Sequence, residues 1–315
     1  MAQIFLAFIG ALLLLVVAVV SLNWVFPLIG AKLLRGMLRR KAGLVQKELV
    51  VDGHRVPYLV GGTGEALILV HGFTSNKDNF DAVARYLTPS YTLYALDLLG
   101  FGDAERDLKG DHSIEALVSY VKKFAHALGL SRLHLCGSSL GGGVVAYYAA
   151  RFPDEVASIW LIDAAVTREF LTDSKMVKQY DITGKFPYLV QTREEHARKM
   201  EIVFGKPVKM PNCVEVAMAN AAIRDFEIHS TILKQVRSTP PIDSLFSGLK
   251  TPALIVTGDK DLVVPPSSTQ TLEKVFPNSS VKVIVGAGHI PMVERPQECA
   301  QDYLAFRAEL ADKKR

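Results

Sequence analysis

The sequence predicts an α/β fold: a mainly parallel, eight-stranded sheet with helices on both faces, a helical cap insertion and an N-terminal transmembrane helix. Three observations predict it. Short apolar runs alternate with helical patterns along most of the chain. Gly137-Ser138-Ser139-Leu140-Gly141 lies between the apolar run Leu133-His134-Leu135-Cys136 and a helical stretch at 144–150. Residues 4–22 carry no charge over 19 positions, close to the ~20 residues that cross a bilayer core.

Taken in order, residues 1–22 read as a transmembrane anchor and 23–44 as a basic interfacial segment. A cleaved signal peptide is the rival, but Met1-Ala2-Gln3 lacks the basic start such a leader needs. Trp24 and Phe26 stand where an aromatic belt forms, and basic residues follow at once. The positive-inside rule then puts the body in the cytoplasm. In the flank, Leu33, Leu34, Met37 and Leu38 share one helical face and Lys32, Arg35 and Arg39 another, a pattern suited to anionic membrane lipids.

The first core part runs from 45 to 163. Strands are expected at 44–51 and 55–60, joined at Asp52-Gly53, then at 66–70, 91–96, 133–136 and 156–162. Helices are expected at 78–87 and after Ser113, whose Ile114, Leu117, Val118, Val121, Phe124 and Leu128 share a face. From 164 to 246 the alternation stops and helices at 193–204, 214–222 and 226–235 replace it, so this stretch reads as a cap inserted between core strands. The second core part, 247–315, returns to strands at 251–256 and 281–285 and closes with a helix over 296–311.

Composition removes several classes of function. Cys136, Cys213 and Cys299 are odd in number and far apart, which is neither a disulfide framework nor a metal spacing, and suits a reducing compartment. The net charge is +4, but six basic residues cluster between 32 and 47; without them 30 basic residues face 32 acidic ones. A near-neutral body gives no reason to expect nucleic acid. No His-x-x-x-His, Cys-x-x-Cys or phosphate-binding loop occurs, so no metal or organic cofactor is implied.

Gly-x-Ser-x-Gly between a strand and a helix is a nucleophile elbow: a sharp turn that exposes Ser139 Oγ and points the Leu140 N–H at a developing oxyanion. An alcohol needs a base, and the base needs a carboxylate to orient it. Among eight histidines only His289 sits in a glycine-bracketed loop after the last strand. His54, His112, His126, His196 and His229 read as surface or cap residues, and His134 as a hydrogen-bonded residue of the elbow strand. The acid is Asp259 or Asp261 after the strand at 251–256, or Asp163 after the preceding one. In His71-Gly72-Phe73, Gly72 lets the backbone come close and Phe73 supplies a second oxyanion N–H. Asp97 with Gly100 and Gly102 reads as a structural turn beside the pocket.

These motifs, with Gly258-x-x-Asp261-x-x-Val264-Pro265 and Gly288-His289, together resemble the α/β-hydrolase series over residues 45–315. His71-Gly72-Phe73-Thr74-Ser75-Asn76-Lys77-Asp78-Asn79-Phe80, the Pro291–Pro296 tail and the anchor are similar to the membrane-anchored monoacylglycerol-lipase branch and to cold-active bacterial lipases. The resemblance implies the triad Ser139, Asp261 and His289, with oxyanion donors Phe73 and Leu140. Ser138 stands where that family more often has Asn or Thr, and Leu140 where it has Met, changes that bear on pocket shape. A serine nucleophile excludes the Asp-nucleophile relatives. The implied activity is hydrolysis of lipid carboxylic esters such as monoacylglycerols. Another use of the same triad (C–C hydrolysis of ring-cleavage products, thioester hydrolysis, acyl transfer) and a non-catalytic receptor are the alternatives. Acyl-chain length and oligomeric state are not encoded in any motif.

Overall fold

The computed structural model describes residues 1–313; the last two residues of the expected second core part lie outside the described residues. Among the described residues, eight strands form one sheet: β1 (Val45–Val51), β2 (His54–Gly62), β3 (Glu65–Val70), β4 (Tyr91–Leu96), β5 (Leu133–Ser138), β6 (Val156–Ile162), β7 (Ala253–Gly258) and β8 (Ser279–Ile284). Their spatial order is β1-β2-β4-β3-β5-β6-β7-β8. β1 and β2 are an antiparallel hairpin turning at Asp52 and Gly53, both with positive φ, as a two-residue turn matched to strand twist requires. β2 meets β4 antiparallel, and all later pairings are parallel.

Alternation along the parallel strands builds two cores. Ile68, Val70, Leu135, Ile159, Leu161 and Ile255 face helices Ile114–Ala127 and Leu140–Arg151. Leu67, Leu69, Cys136, Trp160, Ile162 and Val256 face helices Asp81–Leu87 and Pro296–Asp312. Trp160 stacks on Tyr303 of the closing helix, ring centroids 4.8 Å apart at 18°. Truncating such a buried aromatic costs ~3–5 kcal/mol, so this contact fixes the C-terminal helix. The Ser113 hydroxyl accepts the Ala116 N–H at 3.3 Å and starts the helix Ile114–Ala127. Lys77, 1% exposed, bridges Asp97 and Asp103 and pins the turn after β4.

Between β6 and β7 the chain is helical: Arg168–Asp173, Lys175–Thr183, Arg193–Val203, Asn212–Arg224 and Phe226–Val236. The N-terminus forms a helix, Ala2–Trp24, whose apolar stretch Gln3–Trp24 is long enough to cross a membrane and is unburied. A second helix, Pro27–Lys41, follows.

This second helix keeps Leu33, Met37 and Leu38 exposed while part of its basic face is engaged by the core. Arg39 makes a two-pronged ion pair with Asp78 (2.5 and 2.8 Å), and Arg35 lies 3.5 Å from the same carboxylate. Its opposite side packs on the helix Asn212–Arg224. A Cβ on Gly30 would sit 2.3 Å from the Leu22 carbonyl oxygen and 3.3 Å from Cys213 Cβ, so only glycine permits this approach. Asn23 completes the joint: its side-chain oxygen accepts the Cys213 N–H at 3.0 Å and its carbonyl accepts Asn212 Nδ2 at 2.7 Å. The apolar N-terminal helix is thereby tied to the helical insertion.

Candidate active site

Parallel register brings four strand ends together. Val70 pairs with Gly137, Gly137 with Leu161, and Ile162 with Val256, so the loops that follow open along one edge of the sheet.

Ser139 follows β5 with φ +55° and ψ −119°, a backbone state that costs a non-glycine residue ~1–3 kcal/mol. Its surroundings hold it there. Its N–H donates to the Ile162 carbonyl at 2.9 Å, and its carbonyl accepts the Gly143 and Ala165 N–H groups, each at 3.1 Å. A Cβ on Gly137 would lie 2.1 Å from the Gly141 carbonyl oxygen, and one on Gly141 2.1 Å from that of Val70. Leu140 is the first residue of its helix, where an N–H has no intrahelical acceptor. The loop after β3 presses against the serine, for a Cβ on Gly72 would lie 3.0 Å from Ser139 Cβ; Phe73 is the next residue. His71 is structural: it accepts the Leu98 N–H at Nε2 (3.1 Å) and pairs Nδ1 with the Gly72 carbonyl (2.9 Å).

The three acids take different places. Asp261 Oδ2 lies 2.9 Å from His289 Nδ1, and its Oδ1 accepts the Val263 and Val264 N–H groups at 2.7 and 3.2 Å. Asp259 instead accepts the Gly286 N–H at 2.5 Å and joins the loops after β7 and β8. Asp163, at the end of β6, is more than a strand-end acid. Its Oδ1 accepts from Thr257 Oγ1 (2.8 Å) and the Gly258 N–H (3.2 Å), and Asp163, Asp261 and His289 each place an atom within 4.8 Å of the others. Burial first, then the charge of Asp261, hold the Asp163 carboxyl well above the ordinary carboxylate range. The raised pKa favours its protonated form, which spares a second buried negative charge beside Asp261. Both oxygens of Asp261 are already engaged, Oδ1 by the Val263 and Val264 N–H groups and Oδ2 by His289, which makes the trio a poor cation site. His289 Nε2 is buried without a hydrogen-bond partner, which leaves it available to a hydroxyl.

Above Ser139 lies a cavity with about 810 Å³ of empty space, counting its mouth. Ser139, Leu140 and Phe73 form its floor, and Phe170, Met176, Val177, Phe186, Leu233 and Val236 of the helical insertion line it. Tyr188 lines it too and packs edge-on against His289, ring centroids 6.3 Å apart. Such a lining accepts an alkyl chain at ~0.8 kcal/mol per methylene.

Of the remaining histidines, His112 differs from expectation, whereas His196, His229 and His134 lie where the sequence placed them. His112 is buried rather than superficial, with Nε2 2.7 Å from the Asp107 carbonyl. His196 and His229 are in the insertion but buried, held down to about 4 and about 3, chiefly by burial. His134 Nδ1 meets Ser158 Oγ at 2.8 Å. Sequence reasoning missed Lys199, which reaches across to Thr74 Oγ1 at 2.6 Å, and Glu294, which accepts the Gly288 and Gly205 N–H groups at 2.7 and 3.0 Å. Glu294 lies in the Pro291–Pro296 tail, so a signal for it was present; nothing around Lys199 sets it apart from an exposed helical lysine.

Known proteins are similar to this chain in sequence and fold. The family model for the alpha/beta hydrolase fold matches residues 65–188 and 167–296. Lipase 1 of Psychrobacter immobilis is 34% identical over 279 residues, 86% of each chain. The monoacylglycerol lipase ABHD6 of Rattus norvegicus is 27% identical over 258 residues, covering 78% of this chain and 76% of its own. Among solved structures, a bacterial membrane phospholipase A superposes with a TM-score of 0.86 at 33% identity, covering 99% of both chains. The chain belongs to the α/β-hydrolase family.

Proposed function

We propose that the protein is a serine hydrolase that cleaves carboxylic esters of lipids, such as monoacylglycerols, through an acyl-enzyme on Ser139. One observation carries this reading: a serine held at φ +55° forms the floor of an apolar cavity whose wall packs on a histidine–carboxylate pair. Lipase and phospholipase relatives support the ester of a lipid as substrate.

In this reading Ser139 Oγ attacks the ester carbonyl while His289 Nε2 takes its proton. The carbonyl π pair moves onto oxygen, toward the N–H groups of Phe73 and Leu140. Asp261 keeps the histidine's other proton on Nδ1 and steadies the imidazolium. Collapse expels the alkoxide, which takes the proton from His289. Water then repeats the sequence and releases the fatty acid. Residues 164–246 act as the cap that holds the acyl chain, and residues 1–22 as the anchor that holds the cap near a bilayer. The joint of Asn23 and Gly30 with the helix Asn212–Arg224 supports delivery of substrate from the membrane. A cytoplasmic body rests on the basic flank alone, of which Arg35 and Arg39 are engaged by Asp78; protection from protease added outside sealed cells tests that side.

A series of p-nitrophenyl esters tests the main reading. kcat/KM should rise roughly fourfold per methylene, as ~0.8 kcal/mol implies, until the cavity is filled. A fluorophosphonate should label Ser139. A preference for acetyl over octanoyl esters, or faster turnover of dienoic ring-cleavage products, overturns it.

A further inference from the structure

Lys199 is a cation in an unexpected place. It lies on the helix Arg193–Val203, is 5% exposed, and its Nζ donates to Thr74 Oγ1 at 2.6 Å. Beyond that hydroxyl its ammonium meets the ring of Tyr188, 5.1 Å from the centroid. Burial alone pulls it down to about 8, with no carboxylate to offset its charge. The titratable groups that face it are His196 on its own helix, His229 from the helix Phe226–Val236, and Tyr188. The two histidines are held far below neutrality and the phenol well above its ordinary range, burial being the foremost cause for each. None of these three changes charge between pH 6 and 9.5 by those shifts. A buried ammonium without a counter-ion is costly to a fold, and such costs concentrate at functional sites.

Its partner indicates the use. Thr74 has φ +56°, in the left-handed region, and directly follows Phe73. A strained loop persists only where its surroundings hold it, and Lys199 is the group that grips the Thr74 side chain. We propose that Lys199 is a positioning residue of the oxyanion hole: through Thr74 it fixes the loop that aims the Phe73 N–H. The inference rests on the Ser139 reading. In the resting site the ammonium lacks a counter-charge. A charged donor grips the Thr74 hydroxyl more firmly than a neutral amine does, so the loop that carries Phe73 is held best while Lys199 is protonated, and the hold counts where the Phe73 N–H meets developing charge. Because Lys199 belongs to the insertion and Thr74 to the core, the same contact makes a competent oxyanion hole depend on a seated cap.

The test uses the full-length protein in detergent micelles with p-nitrophenyl butyrate. Lys199→Met should lower kcat ~10- to 100-fold, less than removal of an oxyanion donor itself, with KM little changed. Lys199→Arg should restore most of the loss. Thr74→Val should lose as much as Lys199→Met, and the double variant no more than either. Wild-type kcat should fall as pH rises through about 8, a limb that Lys199→Met abolishes. Stability should move the other way. A lowered lysine pKa penalises the fold while the ammonium is charged, and that penalty is relieved between about 8 and the unfolded value of ~10.4. Wild-type Tm should therefore gain on the Lys199→Met variant over that range.

An unchanged kcat with a lowered Tm would make Lys199 a mere latch and overturn the proposal. So would a loss in Lys199→Met that Thr74→Val does not share, which would point to direct contact with an anionic substrate group. Should Lys199→Met not fold, Thr74→Val and Lys199→Arg carry the same comparison. Failure of the Ser139 reading is separately visible, as turnover retained by Ser139→Ala and no fluorophosphonate label at that residue.

Discussion

The two halves of the cavity are built by different rules. The floor consists of residues at the ends of parallel strands, each shaped in large part by neighbours close in sequence: Ser139 by Gly137 and Gly141, and Asp261 by the N–H groups of Val263 and Val264. The wall, or roof, consists of side chains of the helical insertion, and that insertion meets its partners far away in sequence: Tyr188 with His289, Lys199 with Thr74, Asn212 and Cys213 with Asn23. Chemistry in the floor is thus encoded locally, whereas selectivity and membrane coupling in the roof are encoded only by tertiary packing. Breaking the floor should abolish turnover for every substrate. Breaking the roof should change which substrates are taken and how they arrive, except at Lys199, whose bond to Thr74 carries the roof's influence into the floor.

The largest expected effect lies in the floor. Ser139→Ala should fold with an unchanged Tm and lose at least ~10³-fold in kcat on short and long esters alike, since the oxyanion hole alone leaves a small residual rate. A variant that retained wild-type turnover would remove the floor's claim to the chemistry.

The pair of acids behind His289 sharpens the point within the floor. Asp261→Asn should cost ~10²–10⁴-fold in kcat by favouring the wrong histidine tautomer. Asp163→Asn should change kcat little, because an amide keeps both the acceptor for Thr257 and a donor toward Asp261. Its signature is in stability. Asp163 has a folded pKa raised well above the ordinary carboxyl value of 3.8, so over the range between the two the folded state holds a proton that the unfolded state releases. The stabilisation from that proton is complete below pH 3.8 and is lost as pH rises toward the raised value. Asp163→Asn should therefore match wild type near pH 4 and exceed its Tm at pH 7. Equal pH dependence in the two proteins would mean that Asp163 is ionised.

The same division explains what was legible in the sequence. All eight strands could be read, because alternating apolar residues and glycine-punctuated ends are local signals; their ends shifted by at most two residues, as β2 running on to Gly62 and β5 to Ser138 illustrate. The fold and the strand-end residues of the candidate site were visible for that reason. The protonated state of Asp163 was not, since it depends on the approach of Asp261 from a strand about 90 residues later. Nor was the docking of helix Pro27–Lys41: its basic face looks lipid-directed until Asp78 is seen to take Arg39. Lys199 gave no signal, because a lysine on an amphipathic helix is ordinarily solvated.

In the roof the expected effects are smaller and selective. Leu233, 4% exposed, lines the cavity from the helix Phe226–Val236. Leu233→Trp should shorten the acceptable acyl chain by a few methylenes, each ~0.8 kcal/mol or roughly fourfold in kcat/KM, and leave acetyl and butyryl esters nearly unaffected. A uniform loss across chain lengths would show instead that the larger residue had disturbed the floor.

The smallest expected effect is at the joint between the N-terminal helix and the roof. Asn23 accepts the Cys213 N–H, one of the orphan donors in the first turn of the helix Asn212–Arg224. Asn23→Ala removes an acceptor equivalent to an N-cap and should cost ~1 kcal/mol. For a protein of this size that is a Tm shift of ~2 °C or less, near the limit of a thermal scan. Function should report it more sharply. Hydrolysis of p-nitrophenyl butyrate in solution should be unchanged, because Asn23 touches the end of the insertion remote in sequence from every floor residue. Turnover of a vesicle-borne monoacylglycerol should fall, because the roof is no longer held at a fixed attitude to the apolar helix. Equal loss on both substrates would mean that the joint supports the floor itself, and the separation of floor from roof would have to be abandoned; no loss on either would leave the apolar helix as a tether with no influence on the cavity.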